Sequence, residues 1–411
     1  MTQAPSADVL TCDVLVVGAG PVGLTLAMDL ASRGVQVAVA EIRAYGEPPN
    51  VKCNHVAART MEQFRRLGVA QKLRDAGLPA DYPNDVVFRT SLTGIEFSRI
   101  TIPCRRDRYT DTSGPDGWWP TPEPAHRINQ IYLEPILLAH TAGLAGVTLL
   151  NRTQVTAFEQ GDEEVVATAM DLTKGTERRI RAQYLIGCDG ARSEVRRQMG
   201  AKFEGTAIIQ RVQSTYIRAP KLMGLIPGKP AWSCYAMNPR RCGTVFAIDG
   251  KQDWLIQNHL NLDEPEFDSV DRDQSIRNIL GVGADFEYEV LSKEDWVGRR
   301  LVADRFRNGN VFLAGDAAHL WMPCASTWGR ARMNSTCSSF AAPGLTLATF
   351  MQAHPSLRMS QKHHRLIQWA ASPRPPCRAA ARRTSGWRMG GLCTTPLGRA
   401  TRCCGLMRGP M

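Results

Sequence analysis

The sequence predicts an α/β protein in which a parallel sheet is interrupted by a separate antiparallel sheet. Three observations support this fold class. A strand, a glycine-rich loop, a helix and a second strand follow one another near the start of the chain. Two later apolar runs each end in an aspartate, and the segment between them alternates apolar and polar residues. Strands that alternate with helices are typical of a parallel sheet, whereas alternating segments between Pro/Gly turns are typical of antiparallel strands.

The first unit starts at Cys12 and reads CDVLVVGAGPVGLTLAMDLASRGVQVAVAEIR. Its pattern Gly18-x-Gly20-x-x-Gly23 follows a β-branched run, and a second apolar run ends at Glu41. Gly18 permits a tight turn, Gly20 lets the backbone approach a pyrophosphate, and Gly23 lets helix and strand pack closely. The helix N-terminus offers N–H groups to phosphates, and Glu41 is placed to accept ribose hydroxyls. The unit predicts a dinucleotide site; an ordinary βαβ unit with chance glycines is the alternative.

Two later strands end in acidic residues. The segment YLIGCDGARSEVRRQMG ends its apolar run at Asp189-Gly190, after which Ser193 caps a short helix. The segment NGNVFLAGDAAHLWMP predicts a strand from Val311 to Gly315 that ends at Asp316. Acids at the carboxyl ends of parallel strands point into the crevice where ligands bind. A turn acid is the simpler interpretation of each one alone, but three in this order favour one binding site.

Together these segments resemble the class A flavoprotein monooxygenases, which include the p-hydroxybenzoate, phenol and 3-(3-hydroxyphenyl)propionate hydroxylases. The resemblance covers residues 10 to 323 and implies a Rossmann-like FAD/NAD(P)-binding domain with an inserted antiparallel-sheet substrate domain. RINQIYLEPIL resembles the family segment in which a glutamine contacts the flavin. VKCNHVAARTMEQFRRLG resembles a family helix region, with a lysine where an FAD-contacting arginine is usual. The cofactor-binding residues expected on this basis are Gly18, Gly20, Gly23, Glu41, Arg43, Lys52, Gln130, Asp189, Gly190, Gly315 and Asp316.

The resemblance also assigns parts of FAD to these segments. The glycine loop and Glu41 hold the ADP part, Asp189-Gly190 serves FAD and NAD(P)H, and Gly315-Asp316 binds the ribityl chain. It implies a monooxygenase that hydroxylates an aromatic, phenolic substrate with O2 and NADPH or NADH, through a flavin C4a-hydroperoxide. No catalytic residue is assigned; His55 and Tyr216 are candidate partners of a phenol, although a structural role is commoner for each type.

Two other functions stay open. A flavin-dependent halogenase or reductase shares the FAD segments, but a halogenase should contain Trp-x-Trp-x-Ile-Pro, and the Trp-Trp-Pro at Trp118 differs. Incorporation of oxygen or of halide into the product separates these activities. The other alternative is a defective chain of the family with impaired FAD binding and little activity.

The substrate is expected to bind where the alternating strands of residues 201–290 meet the cofactor. Trp118 and Trp119 are candidates for an aromatic wall, with ordinary packing as the alternative. Arg211, Arg218, Arg240 and Arg241 are candidates to hold a substrate carboxylate, with a solvated face as the alternative. The predicted organisation is a cofactor part at 10–80, 126–200 and 291–323, substrate-side loops and strands at 81–125, the sheet domain at 201–290 and an unassigned basic tail at 324–411.

The tail differs in composition from the rest of the chain. The net charge is +11, but Asp316 is the last of 39 acidic residues; 13 of the 50 basic residues follow it, which leaves 37 before it and a nearly neutral body. We interpret residues 324–411 as out-of-frame translation of a GC-rich gene, with a disordered basic tail or an RNA- or membrane-binding segment as alternatives. The DNA tests this, because a frame shift near codon 323 should restore a glycine-rich loop and an amphipathic helix. Without that helix we expect weak FAD retention and poor coupling of NAD(P)H oxidation to hydroxylation.

The composition of the body sets further expectations. Six cysteines are scattered singly before Asp316, so we expect a reducing cytoplasm. The other six lie in the tail without a Cys-x-x-Cys pair, so no metal site is expected. The first apolar run is broken by Pro21 and Asp29, so no membrane span is expected. The expected partners are an aromatic small molecule and O2, without nucleic acid, and a homodimer is left open.

Overall fold

The computed structural model describes residues 9–113, 121–261 and 263–321. The predictions for Trp118, Trp119 and residues 324–411 lie outside this range. The strands are β1 Val9–Val17, β2 Val37–Ala40, β3 Val86–Arg89, β4 Glu96–Ile100, β5 Val147–Leu150, β6 Thr153–Gln160, β7 Val165–Asp171, β8 Thr176–Gly187, β9 Phe203–Arg218, β10 Ser233–Ala236, β11 Gly243–Ala247, β12 Asp253–His259, β13 Glu289–Ala303, β14 Arg307–Asn308, β15 Val311–Leu313 and β16 His319–Trp321. The helices are α1 Pro21–Ala31, α2 Ala58–Arg66, α3 Ala70–Arg74, α4 Gln130–Ala142, α5 Glu194–Gln198 and α6 Arg272–Leu280.

The first sheet is built on parallel strands in the order β15-β8-β1-β2-β5. Val16 of β1 pairs with Ile186 on one side and Val39 on the other. Helices α1 to α4 cover one face, where Leu24 and Leu137 are fully buried. The β6–β7 hairpin, which pairs antiparallel with β8, and helix α5 cover the other face. Because both faces are covered, the central strands read as nearly continuous apolar runs.

The second sheet has the order β16-β13-β9-β12-β11-β10-β3-β4. Its pairs are antiparallel except β3 with β10, which run parallel. Parallel strands need a long connection, and the chain between β3 and β10 supplies one. Helix α6 packs on this sheet, and its Ile276 and Ile279 belong to the same buried core as Trp254 and Ile256 of β12.

Strand β13 pairs along almost the whole length of β9, from Glu289 to Ala303. The second sheet therefore continues past residue 291, whereas the sequence analysis assigns residues 291–323 to the cofactor part. The predicted combination of a Rossmann-like sheet with a second, mostly antiparallel sheet is confirmed.

Candidate functional site

The predicted site residues meet at one edge of the first sheet. Strands β1, β2, β8 and β15 are parallel neighbours, so their carboxyl ends lie at the same edge. Gly18 follows β1, Glu41 follows β2, Asp189 follows β8 by two residues and Asp316 follows β15 by three. The edge therefore gathers a glycine loop and three carboxylates.

The three glycines of the loop have different surroundings. Gly18 has a φ of +103°, and a Cβ there would lie 2.5 Å from the carbonyl oxygen of Cys188. A Cβ at Gly23 would lie 1.9 Å from the carbonyl oxygen of Gly18, so helix α1 can approach the loop only with glycine there. A Cβ at Gly20 would meet nothing within 4 Å. Gly18 and Gly23 thus serve packing, and Gly20 leaves open space beside the N-terminus of α1.

Glu41 is buried directly beside this loop. Its Oε2 accepts a hydrogen bond of 2.6 Å from the backbone N–H of Ala19. Its Oε1 accepts 3.0 Å hydrogen bonds from the backbone N–H and the Nε of Arg43. A carboxylate has about four acceptor positions, so these bonds leave Glu41 with roughly one for a further donor.

Asp189 shapes the turn between β8 and α5. Its Oδ2 accepts hydrogen bonds from the backbone N–H groups of Glu194 at 2.8 Å and Val195 at 3.1 Å. The Oδ1 atom is buried and has no hydrogen-bond partner among the described residues. A buried carboxylate oxygen without a donor is costly, so this atom is suited to a donor supplied by a ligand. Gly190 follows with a φ of +79°, and a Cβ there would meet nothing within 4 Å.

Strand β15 ends at Leu313, earlier than the predicted Gly315, because Gly315 turns the chain into a single 3₁₀ turn, Gly315–Ala317. Gly315 has a φ of +61°, and a Cβ there would approach Val22 of α1 to 2.9 Å. The side chain of Asp316 is accessible to solvent. Poor solvation within the site raises the pKa of this carboxyl, while nearby His319 and Lys52 lower it.

Lys52 and Gln130 lie next to each other. The Lys52 carbonyl accepts a 3.1 Å hydrogen bond from the backbone N–H of Gln130. The Lys52 ammonium lies 2.6 Å from Oε1 of Glu294, on β13 of the second sheet. Gln130 begins helix α4, and its Nε2 donates to Oε2 of Glu134 at 2.8 Å. The loop that contains Lys52 therefore connects the edge of the first sheet with the second sheet.

Cys53, directly after Lys52, has a left-handed backbone with a φ of +48°. Such a conformation is uncommon outside glycine and is concentrated at functional positions. Poor solvation, with a smaller contribution from the Asp316 carboxylate, raises the pKa of the Cys53 thiol to about 11. The thiol is therefore protonated near neutral pH.

These residues fit a dinucleotide. Gly20 leaves room for a backbone approach, Glu41 retains acceptor capacity and the buried Oδ1 of Asp189 lacks a donor. Residues 11–330 match the family model described as FAD binding domain. The chain belongs to the FAD binding domain family. The predicted resemblance to class A flavoprotein monooxygenases is confirmed at the level of this family.

Relatives of this FAD binding domain include a putative polyketide hydroxylase of Streptomyces halstedii, 30% identical over 315 residues, which are 75% of this chain and 55% of that protein. Phenol 2-monooxygenase of Pseudomonas sp. (strain EST1001) is 29% identical over 330 residues, 78% of this chain and 51% of that enzyme. A solved ternary complex of aklavinone-11 hydroxylase with FAD and aklavinone matches with a TM-score of 0.66 and 30% identity, over 77% of this chain and 59% of that one. The chain spans about half the length of these curated relatives.

The arginines considered for a substrate carboxylate have different surroundings. Arg218 binds Asp253 through Nε at 2.8 Å and Nη2 at 3.0 Å, and Arg241 binds both carboxylate oxygens of Glu264. These two guanidinium groups already have anionic partners. For Arg211 and Arg240, the described contacts assign no carboxylate partner.

The two phenol-partner candidates lie at different places in the FAD binding domain. The Tyr216 hydroxyl donates to Oδ2 of Asp253 at 3.0 Å, and burial, with a further contribution from Asp253, raises its pKa above the usual value. His55 lies in a cationic region, where burial and Arg127 hold its pKa well below the usual value. Both groups are therefore neutral near pH 7.

Two residues of this site escaped the sequence analysis. Glu134 joins Gln130 and Arg43, and its spacing of four residues from Gln130 in a predicted helix is a signal that could have found it. Glu294 contacts Lys52 from a distant part of the chain, and no local pattern signals it.

The part of the chain that the structure describes contains no group of three or more His, Cys, Asp or Glu side chains that could hold a metal ion. None of the helices in that part is both long enough and apolar enough to cross a membrane.

Proposed function

We propose that this chain is the FAD- and substrate-binding part of a monooxygenase that hydroxylates an aromatic, phenolic compound with O2 and NADPH or NADH. Membership of the FAD binding domain family supports the cofactor. The names of the relatives, a phenol monooxygenase and hydroxylases of polyketides, support the reaction and the substrate class. The single observation that carries the proposal is the convergence of Gly20, Glu41, Asp189 and Asp316 on one edge of the parallel sheet.

In this proposal Gly20 and Glu41 hold the ADP part of FAD, and Asp189 and Asp316 lie along its middle. Gln130, whose backbone is fixed by Lys52 and whose side chain is fixed by Glu134, contacts the flavin. Lys52 can reach an anionic group of the cofactor only by leaving Glu294. The role of Arg43 is structural, because its guanidinium is already shared between Glu41 and Glu134.

FAD, when bound, supplies the exchange of electrons between NAD(P)H and O2 that no side chain can perform. The chain's own residues orient the aromatic ring and exclude water. One face of the second sheet suits this task, because Glu294 lies on it by register, opposite Ser214, and contacts the Lys52 loop. Because of that contact, this is the face of the second sheet that lies toward the site.

A row of side chains crosses this face. Ser214 pairs with Gln257, Gln257 with Thr244, and Thr244 with Tyr235. The Tyr235 ring stacks on Phe88 of the next strand, with ring centroids 5.3 Å apart. Gln257 is half-buried, and its amide makes no hydrogen bond to any described residue. We propose that this row, polar at one end and aromatic at the other, contacts the substrate.

We also propose the cofactor part to be 10–80, 126–200 and 291–323 and the substrate part to be 81–125 and 201–290, although β13 joins the second sheet across residue 291.

The cysteines of the described residues are all free thiols: Cys12, Cys53, Cys104, Cys188, Cys234 and Cys242. Free thiols support our proposal of a reducing cytoplasm.

The purified chain tests the proposed function. Bound FAD should give absorbance maxima at about 370 and 450 nm. With a phenol, NADPH and isotopically labelled O2, the product should gain one labelled oxygen. A colourless chain that does not take up FAD contradicts the cofactor assignment. A yellow chain that reduces a dye with NADPH but never labels a phenol contradicts the hydroxylase assignment.

A further inference from the structure

A continuous series of polar contacts joins the glycine loop to helix α4. The Ala19 N–H donates to Glu41, and Glu41 accepts from the backbone N–H and Nε of Arg43. Nη1 of Arg43 lies 2.6 Å from Oε1 of Glu134. Oε2 of Glu134 accepts from Nε2 of Gln130 at 2.8 Å. Five residues, Ala19, Glu41, Arg43, Glu134 and Gln130, thus connect the two ends of the candidate site without a gap.

The two carboxylates of this series are buried, and the guanidinium between them is partly buried. Glu41 is 8% exposed and Glu134 is 5% exposed, and the two carboxylates share the one guanidinium of Arg43. Burial lowers the pKa of Arg43, but its hydrogen bonds and ion pairs with Glu41 and Glu134 raise it more, so the guanidinium stays charged. A planar fork can address two carboxylates at once, whereas a single ammonium cannot do so with the same geometry.

We propose that Glu134 is a positioning residue that orients Gln130 directly and Glu41 through Arg43, so that the flavin end and the adenosine end of the cofactor site are set together. This inference rests on the proposed function, which assigns Gln130 and Glu41 to those two ends. Glu134 itself need not touch the cofactor. Its two oxygens face protein donors on opposite sides, which leaves its carboxylate occupied.

The proposal predicts an effect at a distance. Loss of the Glu134 charge leaves Nη1 of Arg43 without its anion, and Arg43 can then reorient around Glu41. The affinity for the adenosine half of FAD should fall, although Glu134 lies on helix α4, which begins with Gln130 at the flavin end. Coupling between two sites is reciprocal in binding free energy. Binding at the adenosine end should therefore change the affinity at the flavin end by the same factor as binding at the flavin end changes the affinity at the adenosine end.

Titration of the purified full chain with ADP and with FAD tests this inference. ADP contains the adenosine end without the flavin. In Glu134→Gln we expect both affinities to fall about tenfold, within the range of energies found for residues in one network. In Gln130→Ala we expect FAD affinity to fall while ADP affinity stays within about twofold, because both ion pairs of Arg43 remain.

Glu123→Gln is the matched control. Glu123 is also 5% exposed and paired with an arginine, Arg74, but it belongs to a different cluster. Its substitution should lower thermal stability as Glu134→Gln does and leave both affinities unchanged. If Glu134→Gln fails to fold, Arg43→Lys replaces it. An ammonium cannot pair with both carboxylates in the geometry of the planar fork, so the same loss of both affinities is expected.

The outcomes separate this inference from the proposed function. If the wild-type chain binds FAD and ADP but Glu134→Gln, or Arg43→Lys in its place, keeps the ADP affinity of the control, the positioning role is overturned alone. If the wild-type chain binds neither ligand, the proposed function fails and the inference fails with it. A fall of both ADP and FAD affinity in Glu134→Gln, or in Arg43→Lys in its place, with both affinities kept in Glu123→Gln, supports the inference and the proposed function together.

Discussion

At the scale of single residues, Gly20 and Gly23 provide a matched pair, because only one of them faces packed backbone. In Gly23→Ala the new Cβ would lie 1.9 Å from the Gly18 carbonyl oxygen, and helix α1 must move away from the loop. We expect a loss of about 1–3 kcal/mol in the free energy of unfolding, together with loss of FAD binding. Urea denaturation and FAD titration measure the two effects.

Gly20→Ala is the control for this prediction. Its φ of −73° suits any residue, and its Cβ would meet nothing within 4 Å, so stability should be unchanged. FAD affinity should still fall, because the methyl group occupies the space left for the pyrophosphate. Wild-type FAD affinity in Gly20→Ala would contradict our assignment of that space.

At the scale of the element, helix α4 depends on its first residues. Asn129 accepts a 3.0 Å hydrogen bond from the backbone N–H of Ile131, which caps the helix that begins with Gln130. Asn129→Ala should cost about 1 kcal/mol in the free energy of unfolding. It should also weaken FAD binding, because the cap fixes the turn that presents Gln130.

Helix α6 offers the comparison for α4. Asp271 caps α6 by accepting a 3.0 Å hydrogen bond from the backbone N–H of Gln274. Asp271→Ala should cost a similar amount of stability and leave FAD affinity unchanged, since α6 packs on the second sheet away from the cofactor edge. An equal loss of FAD affinity in both variants would indicate that stability alone controls retention of the cofactor.

The face of the second sheet that contains Gln257 gives another prediction at this scale. Gln257→Leu removes an amide that has no internal partner in the described residues, so the fold should tolerate it. We expect kcat/KM for a phenolic substrate to fall about tenfold, the value of one lost hydrogen bond, with FAD affinity unchanged. Steady-state kinetics measure the effect. The same change at exposed Gln154 on β6 is the control, and an equal fall there would argue against a substrate contact.

Some elements of the fold could be predicted from the sequence, and others could not. The strands that precede Glu41 and Asp189 were predictable, because each joins an apolar run to a local turn signal. The parallel pairing of β3 with β10 was not, because register between distant segments depends on packing that local patterns do not contain. Gln130 was expected from the resemblance of its segment to the family, and its contact with Glu134 follows a local spacing of four residues. The contact of Lys52 with Glu294 joins distant segments, and for the same reason it was found only in the structure.

At the scale of the whole molecule, buried histidines make stability depend on pH. Burial lowers the pKa of His126 to about 3 and that of His259 to about 4, whereas both should titrate near 6.5 when unfolded. The unfolded chain therefore binds more protons below about pH 6.5. The stability of the folded chain should rise with pH between about 4 and 6.5, and at pH 5 each histidine should cost on the order of 2 kcal/mol relative to pH 7.

Urea denaturation at pH 7 and pH 5 measures this dependence. His126 is the more informative of the two histidines. It is 4% exposed, and its Nε2 lies 2.8 Å from the carbonyl oxygen of Leu73. His126→Asn should lower stability at pH 7 and reduce the difference between the two pH values. An unchanged difference would mean that the pKa of His126 is the same in the folded and the unfolded chain.

The ion pair between Lys52 and Glu294 has a consequence for the response to salt. The Lys52 side chain is 51% exposed, so its attraction to Glu294 acts largely through water and is worth at most about 1 kcal/mol. Added electrolyte weakens such a contact strongly, because the Debye length falls from about 10 Å at 0.1 M to about 3 Å at 1 M. The contact between the Lys52 loop and the second sheet should therefore weaken as ionic strength rises, while the ion pairs of Arg43 with the buried Glu41 and Glu134 persist.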